Sequence, residues 1–108
     1  MISVVVLGAG NVGSHLVRIM QSVKKVNLVQ WYSRDKNSIR SDTKDIELCN
    51  DLKNLKTADI YIIAVTDKAI EALSKKLPFE NRLVVHTSGS IPLKKIDIKH
   101  KRGVFYPL

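Results

Sequence analysis

Short apolar runs alternate along this chain of 108 residues with stretches that have helical periodicity. The apolar runs are rich in β-branched residues and end at glycine or polar residues, as is typical of parallel strands that are buried on both faces. They predict six strands, over residues 2–7, 27–32, 46–49, 60–65, 82–87 and 103–106. The run at 60–65 is the clearest interior strand, because it contains no charge.

Two of the segments between these runs have the spacing of amphipathic helices. Apolar residues of the first fall on one helical face: Val12, Leu16, Ile19, Met20 and Val23. This helix is expected to end near Lys24 and Lys25, whose charges suit the negative end of its dipole. The second helix is expected to be capped by Asp67 and to end before Pro78. Its core-facing residues are Ile70, Leu73 and Leu77.

The order of these elements predicts the fold class. The strands are joined by short crossovers, with one further helical turn expected over residues 51–55. Such an order makes a compact α/β fold with a doubly wound, mostly parallel sheet. The length suffices for a single domain, residues 1–108, with one core.

The charge of the chain is unevenly distributed. Lys and Arg number 18 against 10 Asp and Glu, for a formal net charge of +8. Five of the basic residues and one acid fall within residues 94–102, which we expect to form a solvated loop. A nucleic-acid contact is the alternative for this segment, but no helix-turn-helix or RNA-binding signature accompanies it, and one Trp with two Phe offers few rings for stacking. We therefore expect no nucleic-acid partner.

The sequence contains no sign of secretion, metal binding or membrane insertion. Cys49 is the single cysteine, and no Cys and His residues have the spacing of metal ligands. The apolar run after Met1 stops at Gly8 and has no basic leader, unlike a signal peptide or a membrane span. We expect a reduced, cytoplasmic protein with no metal site.

Residues 8–13 read GAGNVG and match the pattern G-x-G-x-x-G between a predicted strand and a predicted helix. In that context Gly8 permits a tight turn, Gly10 lets the backbone approach a pyrophosphate, and Gly13 lets the helix pack close to the strand. Asn11 and Val12 then begin the helix, where free amides and the helix dipole favour an anion. The motif predicts a dinucleotide site. A turn that merely requires glycine is the alternative.

The residues after the second strand indicate which dinucleotide is bound. An Asp or Glu there would bind the ribose 2′-hydroxyl of NAD, but this chain has Ser33 and Arg34. A hydroxyl and a guanidinium suit the 2′-phosphate of NADP, which a carboxylate would repel. The sequence thus favours NADP(H) as the cofactor. Two alternatives stay open: Arg34 as an ordinary exposed turn residue, and Asp35 as a ribose ligand if the strand ends later.

Ligands of doubly wound sheets bind outside the carboxyl ends of the strands, where the strand order reverses. Thr66 follows the fourth strand and is a candidate for the nicotinamide side. His86 and Ser88, at the end of the fifth strand, are suited to a substrate carbonyl or carboxylate. The alternative for His86 is a hydrogen bond to the next loop, and Ser88 is more typical of a cap than of a nucleophile, because no G-x-S-x-G surrounds it.

Four segments resemble the N-terminal NADP-binding domain of the pyrroline-5-carboxylate reductase and 6-phosphogluconate dehydrogenase group: VVVLGAGNVGSHL, YSRD, IYIIAVTD and VVHTSGS. The pair HTSGS and GVFYPL is more specific and resembles bacterial deazaflavin-dependent NADP oxidoreductases in which a helical domain follows. The resemblance implies a Rossmann-like NAD(P)-binding fold. It also places Ala64 and Val65 near the nicotinamide ribose, and Ser88 and Gly89 beside the substrate. Hydroxyacid dehydrogenases of the group have Ser-Gly-Gly at 88–90, whereas this chain has Ser-Gly-Ser.

The resemblance also implies how the work is divided within the whole enzyme. In these relatives the helical domain supplies a catalytic residue, often lysine, and the dimer contact, and we expect such a domain to lie beyond these 108 residues. The leading hypothesis is the NADP(H)-binding domain of an oxidoreductase that acts on an unknown small molecule as a homodimer. The alternative is a nucleotide-sensing regulatory domain without catalysis. Domains of that kind usually carry an acid at the end of the second strand, which this chain lacks.

Overall fold

A computed structural model of the chain describes residues 1–35 and 46–104. Within these residues, six parallel strands form one sheet in the order β3-β2-β1-β4-β5-β6. The strands are β1 (Ile2–Leu7), β2 (Val26–Tyr32), β3 (Glu47–Cys49), β4 (Ile60–Ile63), β5 (Leu83–His86) and β6 (Lys101–Val104). The predicted doubly wound α/β fold is confirmed.

The two helices cover opposite faces of the sheet. Helix α1 (Asn11–Ser22) joins β1 to β2, and α2 (Asp67–Lys76) joins β4 to β5. Short 3₁₀ turns at Leu52–Asn54 and Leu93–Lys95 complete the connections before β4 and β6. Because the chain moves outward from β1 to β3 and then returns to place β4 on the other side of β1, the strand order reverses between β1 and β4. A ligand crevice is expected outside the carboxyl ends of these two strands.

The core consists of two apolar layers, because successive side chains of a strand point to opposite faces. The layer on the α1 side contains Val4, Val6, Leu16, Val17, Met20, Leu28, Trp31, Ile62, Ala64 and Val85. The layer on the α2 side contains Val5, Leu7, Tyr32, Cys49, Tyr61, Ile63, Ile70, Leu77, Val84 and Ile96. The central strands are therefore buried on both faces, as their continuous apolar runs predicted.

The buried face of α1 differs from the predicted one. Its buried residues are Gly13, Leu16, Val17 and Met20, which follow the spacing of a helical stripe. Val12 and Val23 were expected on this face but are 45% and 42% exposed. Gly13 makes the closest approach to the loop after β1 and so sets the rotation of the helix, which leaves Val12 beside the crevice. Val23 lies past the end of the helix at Ser22, two residues before the predicted end at Lys24.

Several other boundaries of strands and helices also differ from the predicted ones. β4 ends at Ile63 rather than at residue 65, and the N-cap of α2 is Thr66, with Asp67 as the first helical residue. Asp67 therefore does not cap α2, although its charge in the first turn suits the helix dipole. The predicted last strand, 103–106, begins earlier, at Lys101. Residues 105 and 106 lie outside the described residues.

The basic segment 94–102 is not the simple solvated loop that its charge predicted. Ile96 is fully buried, and His100 is buried with its Nε2 2.7 Å from the carbonyl oxygen of Ser74. The Lys99 ammonium donates to the carbonyls of Lys75 and Leu77 at 2.9 and 2.8 Å. These contacts satisfy carbonyls at the end of α2, which no residue within the helix can do. Lys99 is thus part of the fold, and Lys101 and Arg102 belong to β6.

The described residues include no helix long and apolar enough to cross a membrane. In the same residues no three His, Cys, Asp or Glu side chains lie together as metal ligands would.

Candidate functional site

A cleft of about 590 Å³ lies beside the carboxyl ends of β1, β2 and β4. Three segments that follow these strands line it, and one face of α2 and a residue of the first 3₁₀ turn extend it. The lining residues are Gly8, Ala9, Gly10, Asn11, Val12, Tyr32, Ser33, Arg34, Leu52, Ala64, Val65, Thr66, Ala69, Ala72, Leu73 and Lys76. Its volume is in the range of sites that hold small molecules and cofactors.

The three glycines of the motif have different surroundings. Gly8 has φ +123°, and a Cβ added there would lie 2.4 Å from the Ala64 carbonyl oxygen. A Cβ at Gly13 would lie 2.2 Å from the carbonyl oxygen of Gly8. A Cβ at Gly10 would meet nothing within 4 Å. Gly8 and Gly13 thus allow the turn and the helix to pack closely, whereas Gly10 faces the open cleft.

The first turn of α1 borders the cleft through Asn11 and Val12, next to Gly10. Gly10 is the N-cap and has no side chain to accept a hydrogen bond, and the first turn contains no acidic residue. The earliest helical bond here runs from the Ser14 N–H to the Gly10 carbonyl at 2.9 Å. Helix geometry leaves the preceding N–H groups without helical acceptors, and they carry the positive end of the helix dipole. This end of the cleft is therefore suited to an anion.

The loop after β2 provides the polar side of the cleft. Ser33 is buried and its N–H donates to the Cys49 carbonyl at 2.9 Å, which ties the loop to β3. Arg34 is exposed and borders the cleft. Burial raises the pKa of Tyr32 above its ordinary value of 10.0, and the neighbouring Cys49 adds to this effect, so the phenol is neutral at physiological pH. Asp35 is exposed and is not among the lining residues.

The segment after β4 closes the cleft opposite the glycine loop. The Ala64 N–H donates to the Leu7 carbonyl at 2.8 Å, which continues the pairing of β4 with β1 for one residue. Ala64 is buried, Val65 is half-buried and Thr66 is exposed. Since the Thr66 side chain makes no capping hydrogen bond to α2, its hydroxyl is free of that role.

The candidates after β5 do not line this cleft. His86 is fully buried and its Nδ1 accepts a hydrogen bond from the Ser88 N–H at 3.1 Å, as the alternative interpretation expected. The Ser88 hydroxyl accepts from the Ser90 N–H at 3.2 Å, within its own loop. The His86 Nε2 makes no hydrogen bond within the described residues. A substrate role for His86, Ser88 and Gly89 stays a prediction.

The sequence did not single out the wall that α2 contributes to the cleft. Ala69, Ala72, Leu73 and Lys76 follow the spacing of one helical face. Leu73, which was expected on the buried side of α2, is half-buried: it packs against the core layer on that side and also lines the cleft. The only sign of this wall in the sequence is the pair of small residues Ala69 and Ala72 on one helical face. This pair indicates a cleft wall only once the helix is known to lie along the cleft.

Comparisons with known proteins agree with this geometry. Residues 3–89 match the family described as NADP oxidoreductase, coenzyme F420-dependent. A candidate NADP oxidoreductase from Bacteroides fragilis is 32% identical, with a TM-score of 0.81 over 98% of this chain and 44% of its own. A candidate oxidoreductase from Klebsiella pneumoniae is 21% identical, with a TM-score of 0.68 over 87% of this chain and 29% of its own, and shows the fold alone.

This chain therefore spans less than half the length of either structure. A search among curated proteins finds no match. The family match covers the glycine loop, the loop after β2 and the segment after β4, which are the parts that form the cleft. The resemblance noted in the sequence is thus confirmed at the level of the family: the chain belongs to the family described as NADP oxidoreductase, coenzyme F420-dependent, and has a Rossmann-like fold.

Proposed function

We propose that the cleft binds NADP(H), and that the chain is the cofactor-binding domain of an oxidoreductase that transfers a hydride between the nicotinamide and a second substrate. One observation carries this proposal. The glycine loop, the pair Ser33 and Arg34, and residues 64–66 follow three different strands and yet line one cleft. These are the positions at which a doubly wound sheet holds a dinucleotide.

The first turn of α1 is the proposed pyrophosphate site. Its amides are free of helical acceptors, and open space lies over Gly10, so the cofactor backbone can approach the loop closely. NADP supplies the hydride chemistry when it is bound, and the protein supplies binding and orientation. Asn11 and Val12 border the same end of the cleft.

Ser33 and Arg34 form the proposed site for the 2′-phosphate. The exposed guanidinium borders the cleft while Ser33 is fixed by its backbone bond to β3. A planar guanidinium donates paired hydrogen bonds to phosphate oxygens. This arrangement supports NADP over NAD.

The nicotinamide end is proposed to lie at Ala64, Val65 and Thr66, where the free Thr66 hydroxyl is suited to a polar contact. The description of the family also names coenzyme F420, so a deazaflavin is the first compound to test as the second substrate. The catalytic residues, the homodimer and the cytoplasmic location stay predictions. The relatives are more than twice as long as this chain, and their remaining part is where we expect the reaction to be completed.

Titration with NADPH and NADH tests the proposal. We expect NADPH to bind more tightly, and Arg34→Ala to weaken NADPH about tenfold while NADH binding is unchanged, because a hydrogen bond to a charged group is lost at an exposed site. Arg18→Ala is the matched control, since Arg18 is an exposed arginine on α1 that does not line the cleft.

Equal affinity for the two cofactors would refute the role of Arg34. No binding of either would refute the function. A dimer that forms only with bound nucleotide, without turnover in the longer protein, would favour the regulatory alternative.

A further inference from the structure

Strand β2 contains an irregularity that changes the direction of its side chains. Its register with β1 pairs Val4 with Leu28 but Val5 with Gln30, so Val29 has no counterpart. Leu28 and Trp31 therefore both belong to the core layer on the α1 side, although they are three residues apart. Regular alternation would place them on opposite faces. A bulge of this kind changes the face to which the side chains after it point, and Trp31, which pairs with Val6, is one of these residues.

Trp31 reaches the glycine loop from this face. Its indole Nε1 donates to the Gly8 carbonyl at 2.8 Å, and the indole is 1% exposed. The next residue in β2, Tyr32, accepts the Gly8 N–H at 2.7 Å through its backbone carbonyl. Two consecutive residues of β2 thus hold both polar groups of Gly8.

The Gly8 carbonyl belongs to the same peptide unit as the Ala9 N–H. The chain contains no cis peptide bond among the described residues, and in a planar trans peptide the C=O and N–H point in opposite directions. When the indole holds the carbonyl toward the core, the Ala9 N–H faces the other way. Ala9 lines the cleft. A reversed peptide would instead direct a carbonyl oxygen toward a bound anion.

We propose that Trp31 is a positioning residue for the dinucleotide loop. Its indole N–H fixes the orientation of the Gly8–Ala9 peptide, so that the loop offers a donor rather than an acceptor to the pyrophosphate. The inference rests on the proposed binding of NADP(H) and adds a residue that does not itself line the cleft. The hydrogen bond from the indole is needed at this position because the backbone of glycine rotates more freely than that of other residues.

The test uses the fact that the chain contains one tryptophan. Biosynthetic replacement of tryptophan by β-(3-benzothienyl)alanine changes only Trp31 and puts a sulfur in place of the N–H while keeping the ring size. Two ligands are compared. NADPH contains the pyrophosphate, and adenosine 2′-monophosphate has the 2′-phosphate but no pyrophosphate. Trp31→Phe provides a second, genetically encoded loss of the donor.

We expect the benzothienyl protein to bind NADPH about 3- to 10-fold more weakly, the equivalent of one neutral hydrogen bond, and adenosine 2′-monophosphate as before. Leu28→Ala is the matched control, because it removes a buried side chain from the same strand and core layer without touching Gly8. It should lower stability and leave the NADPH affinity unchanged.

Unchanged NADPH affinity in the benzothienyl protein would overturn the inference, as would an equal loss for both ligands, which a general structural role predicts. If the unmodified protein binds neither ligand, the proposed function itself fails. That result is distinguishable because it appears before any substitution is made.

Discussion

Alanine substitutions at Gly10 and Gly13 separate binding from folding within one loop. Both add a single methyl group, three residues apart, at the start of α1. At Gly10 that methyl meets no protein atom within 4 Å, whereas at Gly13 it lies 2.2 Å from the Gly8 carbonyl oxygen and 2.8 Å from its carbon. Gly10→Ala should therefore weaken cofactor binding, whereas Gly13→Ala should lower stability.

Gly10→Ala is expected to leave folding nearly intact. Gly10 has φ −73° and ψ −166°, which is extended backbone open to alanine. Alanine is a poorer N-cap than glycine, which destabilises the fold by about 0.5 kcal/mol. Alanine also reduces the conformational freedom of the unfolded chain, which stabilises the fold by about 0.4–1 kcal/mol. The free energy of unfolding should thus change by less than about 1 kcal/mol. The methyl group enters the space proposed for the pyrophosphate, and NADPH should bind more than about tenfold more weakly.

Gly13→Ala is expected to destabilise the fold. The atoms that the methyl group meets belong to the backbone, so α1 and the glycine loop must move apart. Overpacking of this kind costs about 1–3 kcal/mol, and the upper end applies because no flexible side chain can yield. The higher helix propensity of alanine relative to glycine stabilises the fold by about 1 kcal/mol. The net loss is about 2 kcal/mol, or about 10 °C in Tm.

The assay is urea denaturation followed by Trp31 fluorescence, with NADPH titration of each folded variant. Trp31 is buried against this loop and reports on the packing that Gly13→Ala disturbs. The reasoning would be refuted if Gly10→Ala lost as much stability as Gly13→Ala. It would also be refuted if Gly10→Ala bound NADPH like the parent protein, since the cofactor could not then approach Gly10.

Two predictions concern stability away from the cleft. Lys99→Met keeps the alkyl stem but loses both bonds to the carbonyls that end α2. It should lower the free energy of unfolding by about 1–2 kcal/mol in urea titrations, whereas Lys94→Met, at an exposed lysine of the same segment, should not. The Ser3 backbone N–H, and then its hydroxyl, donate to Asp59 and lower the pKa of that carboxyl below 3.8. The Asp59 carboxylate stabilises the fold fully above the pKa that it has in the unfolded chain, and this stabilisation is lost as the pH falls through its lower pKa in the folded protein. Between about pH 5 and about pH 3 the parent protein should therefore lose more stability than Asp59→Asn. Equal losses would contradict this.

The strands could be located from the sequence because their signal is local. β1 was predicted residue for residue, since its apolar run ends at a glycine that the following turn requires. The glycine motif likewise carries its own context, a strand before it and a helix after it. The loop after β2 and the segment after β4 were identified from the general position of ligands in this fold, and both line the cleft.

Other features depend on contacts between distant segments. The periodicity of α1 allowed more than one buried face, and the close approach of Gly13 to Gly8 selected one of them. The charge of residues 94–102 gave no indication that Lys99 would reach the end of α2. The local sequence after β5 gave no indication of which atoms would form the hydrogen bond of His86 to its own loop, in which the Nδ1 accepts from the Ser88 N–H.

Local patterns were enough to predict the class of fold, the number of strands in the described residues and the location of the glycine loop, because apolar runs, helical spacing and glycine spacing act over a few residues. Long-range packing sets the bulge in β2, the direction of Trp31 and the wall that α2 adds to the cleft. Register and helix rotation are fixed by packing between strands and helices that are far apart in the chain, and no local pattern records which of these partners will meet.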